Sequence, residues 1–124
     1  MRVLIVEASA ELGQLWANHL RRQGHEVALV MTADAAVDDM NRDEPEVILA
    51  DLDLPDNEAM AVADYAAYRH PGAKVVFVTA SRFFSDGSAF RLTPNACAVM
   101  PRSTQPDDLA AVLEFHGARG PGAG

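Results

Sequence analysis

Val47-Ile48-Leu49-Ala50-Asp51-Leu52-Asp53-Leu54-Pro55 is the stretch that decides the fold. Four apolar residues in a row predict a short strand buried on both faces, because a strand with one wet face alternates apolar and polar residues. The strand delivers a carboxylate, Asp51, to its own carboxyl end, where open α/β sheets place their chemistry. Taken alone, an Asp after a strand reads more simply as turn chemistry. The rest of the chain reverses that reading.

Four further aliphatic runs punctuate the sequence, at residues 3–6, 27–30, 75–78 and, more weakly, 96–100. Helical periodicity fills the segments between them. In the first, Leu12, Leu15, Trp16, His19 and Leu20 recur at spacings of three and four, with Ser9 as N-cap and Gly24 as stop. The second places Ala33, Val37 and Met40 on one face, and the third runs over residues 57–69. The fourth, over residues 83–92, contains Gly87 and is stopped by Pro94, which predicts a short or irregular helix. The fifth opens with Pro106 and turns Leu109, Val112, Leu113 and His116 inward. Strict alternation of strand and helix with unbroken apolar strands predicts an α/β fold: a doubly wound, five-stranded parallel sheet in a three-layer sandwich of the flavodoxin-like (βα)5 kind. Residues 1–116 form the expected domain, and the Gly/Pro-rich residues 117–124 are expected to be disordered.

The 124 residues, 49% of them hydrophobic, suit one globular domain. No apolar run approaches the roughly 18 residues of a membrane span, and the early acid Glu7 is expected to exclude a secretory signal. The single cysteine, Cys97, excludes an internal disulfide framework, fits the cytoplasm, and reads as a small buried hydrophobe. Trp16 reads as core packing. A net charge of −8 disfavours nucleic acid as a partner. The four histidines are scattered and lack the spacing of a zinc site.

In a doubly wound sheet the ligand crevice lies at the carboxyl ends of the strands. There the chain offers Glu7 after the first strand, Asp51 and Asp53 at the third, Thr79 at the fourth and Arg102 after the fifth. Clustered carboxylates repel one another unless a cation intervenes, and a hard ion such as Mg²⁺ suits that grouping. A metal-neutralised carboxylate can accept a phosphoryl group while a hydroxyl and a cation steady its oxygens. Each residue alone could be a cap, a turn or a surface ion pair. Their joint placement at successive strand ends favours one shared site.

The segments Arg2-Val3-Leu4-Ile5-Val6-Glu7, Leu20-Arg21-Arg22-Gln23-Gly24-His25-Glu26-Val27, Asp51-Leu52-Asp53-Leu54-Pro55-Asp56 and Val75-Val76-Phe77-Val78-Thr79-Ala80, with residues 95–109, resemble the receiver domain of two-component response regulators over nearly the whole chain. The resemblance implies a CheY-like signalling module, not an enzyme, that takes a phosphoryl group onto Asp51 from a histidine kinase or phosphotransfer protein. It implies Mg²⁺ on Glu7, Asp51 and Asp53, the last through its backbone carbonyl, a phosphoryl contact from Thr79, and Arg102 in place of a lysine. A stand-alone receiver would signal to a downstream protein partner through its fourth helix, fifth strand and fifth helix, over residues 83–113. The departures bear on mechanism. Ala8 stands where the family has a second acid, which is expected to weaken Mg²⁺. Arg102 could clamp Asp51 permanently. Ser103 replaces a proline that follows a cis bond in the family, Val99 replaces the switch aromatic, and Ala59 replaces a glycine. These departures leave a second reading open, a phosphorylation-independent protein-interaction module. A flavodoxin-like phosphate binder is disfavoured by the negative charge of Glu7-Ala8-Ser9-Ala10-Glu11, and a hydrolase by the lack of a Gly-x-Ser-x-Gly elbow.

Overall fold

The aliphatic runs become strands because β-branched and other apolar side chains fill both faces of a pleated ribbon. The computed structural model describes residues 1–80 and 93–118. Its strands are β1 (Arg2–Val6), β2 (Glu26–Val30), β3 (Val47–Asp51), β4 (Lys74–Thr79) and β5 (Ala96–Pro101). Its helices are α1 (Ala10–Arg22), α2 (Ala33–Arg42), α3 (Glu58–Arg69) and α4 (Pro106–Ala118), α4 being the helix expected fifth in sequence order. The strands lie parallel in one sheet ordered β2-β1-β3-β4-β5. The winding reverses beside β1, so the crevice opens at the carboxyl ends of β1 and β3. The expected fourth helix, residues 83–92, lies outside the described residues.

Period-two alternation sends successive side chains of each strand into two separate cores. Leu4, Val6, Ile48, Ala50, Val75 and Phe77 pack under α2 and α3 with Met40, Val62 and Ala63. Val3, Ile5, Val47, Leu49, Val76 and Val78 pack under α1 and α4 with Trp16, Leu20, Leu109 and Leu113. Two histidines brace the second layer, His19 to Asp107 and His25 to Glu114, each at 3.0 Å.

Several local expectations hold. Ser9 Oγ accepts the Leu12 N–H at 3.3 Å and caps α1, and Gly24, at φ +92°, follows its end. Others shift. The buried face of α1 is Gly13, Trp16, Ala17 and Leu20, while Leu15 is 49% exposed. Gly13 belongs to that face because a β-carbon there would meet the Leu29 side chain. On α2 the weight falls on Ala36 and Met40, with Val37 only half-buried. Cys97 is half-buried on β5. α4 continues to Ala118, and Gly117 is buried against Met1, so the folded chain runs past His116.

Leu20→Ala should therefore cost about 2–5 kcal/mol in urea unfolding, the usual range for truncating a buried leucine. Leu15→Ala should stay within about 0.5 kcal/mol of wild type, as surface changes do.

Candidate functional site

The same alternation assembles the site. Val3 and Ile5 face the α1/α4 core, so the next residue on that face is Glu7. Val47 and Leu49 face it too, and the next is Asp51; Val6 pairs with Ala50, which makes Glu7 and Asp51 cross-strand neighbours. On β5, Met100 packs against this core, and Arg102 follows it two residues on. Backbone hydrogen bonds extend the ladders past the strand ends and fix each position: Glu7 N–H to Val30 O at 3.0 Å, Leu52 N–H to Val78 O at 2.8 Å, and Arg102 N–H to Thr79 O at 3.0 Å.

Glu7 is fully buried, and its two oxygens have different partners. Oε1 accepts from Arg102 Nη2 at 2.7 Å, and Oε2 accepts the Ser9 N–H at 3.0 Å. Asp51 is 3% exposed; its Oδ1 accepts the Asp53 N–H at 2.9 Å, and its Oδ2 lies 3.9 Å from Arg102 Nη2. The clamp expected on Asp51 thus falls on Glu7, which takes the short contact. Asp53 points to β4: its Oδ1 accepts from Thr79 Oγ1 at 2.8 Å and its Oδ2 accepts the Ala80 N–H at 2.7 Å. Sequence reasoning missed the Ser9 and Ala80 N–H groups, since any residue supplies a backbone donor and no side-chain pattern marks one.

Burial, together with the Glu7 carboxylate beside it, pushes Asp51 up from 3.8 to about 6, against the Asp53 N–H and Arg102, which pull it down. Burial works against the charge on Arg102, but the hydrogen bond to Glu7 and the nearness of Asp51 outweigh it and hold the guanidinium above its ordinary pKa. Burial raises the Cys97 thiol to about 11, which leaves it a poor nucleophile.

The departures from the family pattern take concrete form. Positive φ angles in the loop after β3 fall on Asp56 (57°) and Asn57 (55°), residue types that tolerate the left-handed region. Ala59 is helical and 2% exposed, so that turn needs no glycine at position 59. The Arg102–Ser103 peptide is trans. Val99 packs, half-buried, against the α2/α3 core. Ala8 is exposed and brings no oxygen to the site.

Mg²⁺ asks for oxygen lone pairs arranged octahedrally at about 2.0–2.1 Å. The trio expected is Glu7, Asp51 and the backbone carbonyl of Asp53; the three carboxylates themselves are not gathered that way. Both Glu7 oxygens and both Asp53 oxygens already accept hydrogen bonds, and the Asp53 carboxylate is turned toward Thr79. Among the described residues, no three His, Cys, Asp or Glu side chains gather as a metal-ligand set. As arranged, these carboxylates alone do not complete a divalent-ion site.

The response regulator receiver domain model matches residues 3–114, nearly the whole chain. The chain belongs to the response regulator receiver domain family. It is a CheY-like receiver of the two-component system type, and phosphorylation on an aspartate and Mg²⁺ binding are general in that family. A receiver domain protein from Methanospirillum hungatei superposes with a TM-score of 0.83 at 26% identity, over 94% of this chain and 92% of that one. The response regulator TrrA of Thermotoga maritima, crystallised with Mg²⁺-BeF, shares the fold with a TM-score of 0.78 at 18% identity, over 92% and 96% of the two chains. The luminescence regulatory protein LuxO of Vibrio campbellii is 33% identical over 76 residues, which is 61% of this chain and 17% of LuxO. The match therefore covers a small part of that regulator's length.

The raised Asp51 pKa carries a stability cost with a definite sign. The folded state holds the Asp51 proton more tightly than the unfolded chain, so stability falls as pH rises from about 4 to about 6 and then levels off. At about 1.4 kcal/mol per tenfold in the proton equilibrium, the rise from 3.8 to about 6 amounts to roughly 3 kcal/mol. Asp51→Asn, which keeps an acceptor for the Asp53 N–H, should raise stability well above pH 6 by up to that amount. The gain should vanish toward pH 4. Urea unfolding across this range in the presence of a chelator reads it directly.

Proposed function

We propose that this chain is a cytoplasmic response regulator receiver that takes a phosphoryl group onto Asp51 and passes the signal on through protein–protein contact. The setting of Asp51 carries the reading. It is buried at the end of β3 with Oδ1 tied to a backbone N–H and Oδ2 turned toward the only described arginine within 4 Å of it. A fixed carboxylate beside a fixed cation suits attack on phosphorus, because the cation offsets the charge gathering on the phosphoryl oxygens. The Asp51 Oδ2 lone pair would form the new O–P bond as the P–N bond of a phosphohistidine donor breaks, the imidazole leaving with that electron pair and taking up a proton. Thr79 would exchange Asp53 for a phosphoryl oxygen, the kind of local exchange that switches receivers.

A histidine kinase or phosphotransfer protein is the donor class this chemistry calls for. The net charge of −8 favours a protein over nucleic acid as the direct contact of this domain. No helix among the described residues is long and apolar enough to cross a membrane. The downstream docking face, assigned over residues 83–113, includes β5 and the first half of α4; its remaining part, residues 83–92, lies outside the described residues. Ala8 reduces the affinity for Mg²⁺ relative to receivers with a second acid.

The Arg102–Glu7 contact favours a second reading, a phosphorylation-independent interaction module in which the cation is permanently engaged. Intact-mass spectrometry after incubation with a small-molecule phosphodonor separates the two. The first reading predicts a phosphoryl adduct that disappears in Asp51→Asn. Its formation should slow as pH falls through about 6, where the Asp51 nucleophile takes up its proton. A wild-type protein that forms no adduct at any pH is the result the second reading requires.

A further inference from the structure

Glu7 and Asp51 are cross-strand neighbours buried to 0% and 3% exposure, an arrangement that two like charges resist. A positive charge beside them eases that repulsion when both are ionised. Arg102 Nη2 sits there, at 2.7 Å from Glu7 Oε1 and 3.9 Å from Asp51 Oδ2. The Arg102 side chain is 28% exposed, yet its Nε is buried with no hydrogen-bond partner. The side chain is therefore placed to bring its Nη2 to the acids, and it leaves one of its own donors unmet. A divalent ion arriving here would have to share Glu7 Oε1 with the guanidinium or Glu7 Oε2 with the Ser9 N–H, and Ala8 brings no side-chain oxygen to help it.

We propose that the Arg102 guanidinium takes the structural place of the divalent ion and is the built-in counter-ion of the Glu7–Asp51 acid pair. The pocket is then assembled, and its charge partly offset, without metal. Removing this one side chain turns a metal-indifferent protein into one whose stability depends on a divalent cation. The proposal rests on the geometry of the acids and is independent of whether Asp51 is phosphorylated.

The test uses Mn²⁺ as the probe of binding and Mg²⁺ as the probe of stability. Free Mn²⁺ is followed by its paramagnetic resonance signal as metal-stripped protein is added, and thermal midpoints are compared in Mg²⁺ and in chelator. The wild type should leave the Mn²⁺ signal unchanged at sub-millimolar concentrations and unfold at the same temperature in both solutions. Arg102→Ala should unfold several degrees lower in chelator, recover in Mg²⁺, and take up one Mn²⁺ that a further Glu7→Gln abolishes. Where Arg102→Ala does not fold in chelator, Arg102→Gln, which retains more of the packing, carries the same comparison. Stoichiometric Mn²⁺ uptake by the wild type at sub-millimolar concentration would falsify the proposal. An arginine-deleted protein indifferent to divalent ions overturns it equally. Neither result touches the phosphoryl-adduct measurement, so the two readings fail separately.

Discussion

Arg102 Nη2 lies 2.7 Å from Glu7 Oε1, and Glu7 is fully buried. An uncompensated carboxylate in that position would be strongly destabilising, because a buried charge without its partner keeps the desolvation penalty and loses the attraction. The pair joins the end of β1 to the end of β5, two strands separated by β3 and β4 in the sheet order. It thereby spans the mouth of the crevice, with Asp51 Oδ2 3.9 Å from the bridging Nη2. Glu7 also holds the Ser9 N–H, and Ser9 in turn caps α1, so the same carboxylate sets the entry of the first helix. One ion pair thus fixes the loop after β1, the charge around Asp51 and the direction of the Arg102 side chain.

The register of a parallel sheet explains why such distant residues meet. Alternation places every second residue of β1 and β3 on the α1/α4 face, and the first polar residues to continue those rows are Glu7 and Asp51. Thr79 continues the row of Val75 and Phe77 on the α2/α3 face, and Asp53 reaches it from the loop after β3. The crevice therefore has two halves. One holds Glu7, Asp51 and Arg102; the other holds Asp53, Thr79 and the Ala80 N–H. The backbone link between them is the Asp53 N–H on Asp51 Oδ1, so a change in charge at Asp51 is felt first at Asp53 and through it at Thr79. That connection would give a phosphoryl group on Asp51 a physical route to β4.

The strands and their order of appearance were legible because unbroken runs such as Val47 to Ala50 are short and unmistakably apolar. Glu7, Asp51 and Thr79 stood out as candidates because each follows such a run directly. Which face of a helix is buried was less so. Leu15 fits a spacing rule as well as Ala17 does, yet the close approach of β2 at Gly13 rotates α1 to bury the small residues and expose the leucine. The partner of Arg102 could not be read either. Sequence places Glu7 and Asp51 equally at strand ends, and the choice depends on side-chain reach and on which oxygen is already engaged by a backbone N–H. The same holds for Asp53, whose carboxylate the Ala80 N–H and the Thr79 hydroxyl turn away from the other acids.

The most direct test of the Arg102–Glu7 bridge is its coupling energy. A double-mutant cycle with Glu7→Gln, Arg102→Gln and the double variant, measured by urea unfolding in chelator, isolates the pair from each residue's separate packing. A bridge that holds the crevice predicts a favourable coupling of about 2 kcal/mol or more, toward the upper end of the range for contacting residues. A coupling near zero, with the two single substitutions simply adding, would contradict the account. Arg102 would then be a surface cation resting on a carboxylate that needs no partner.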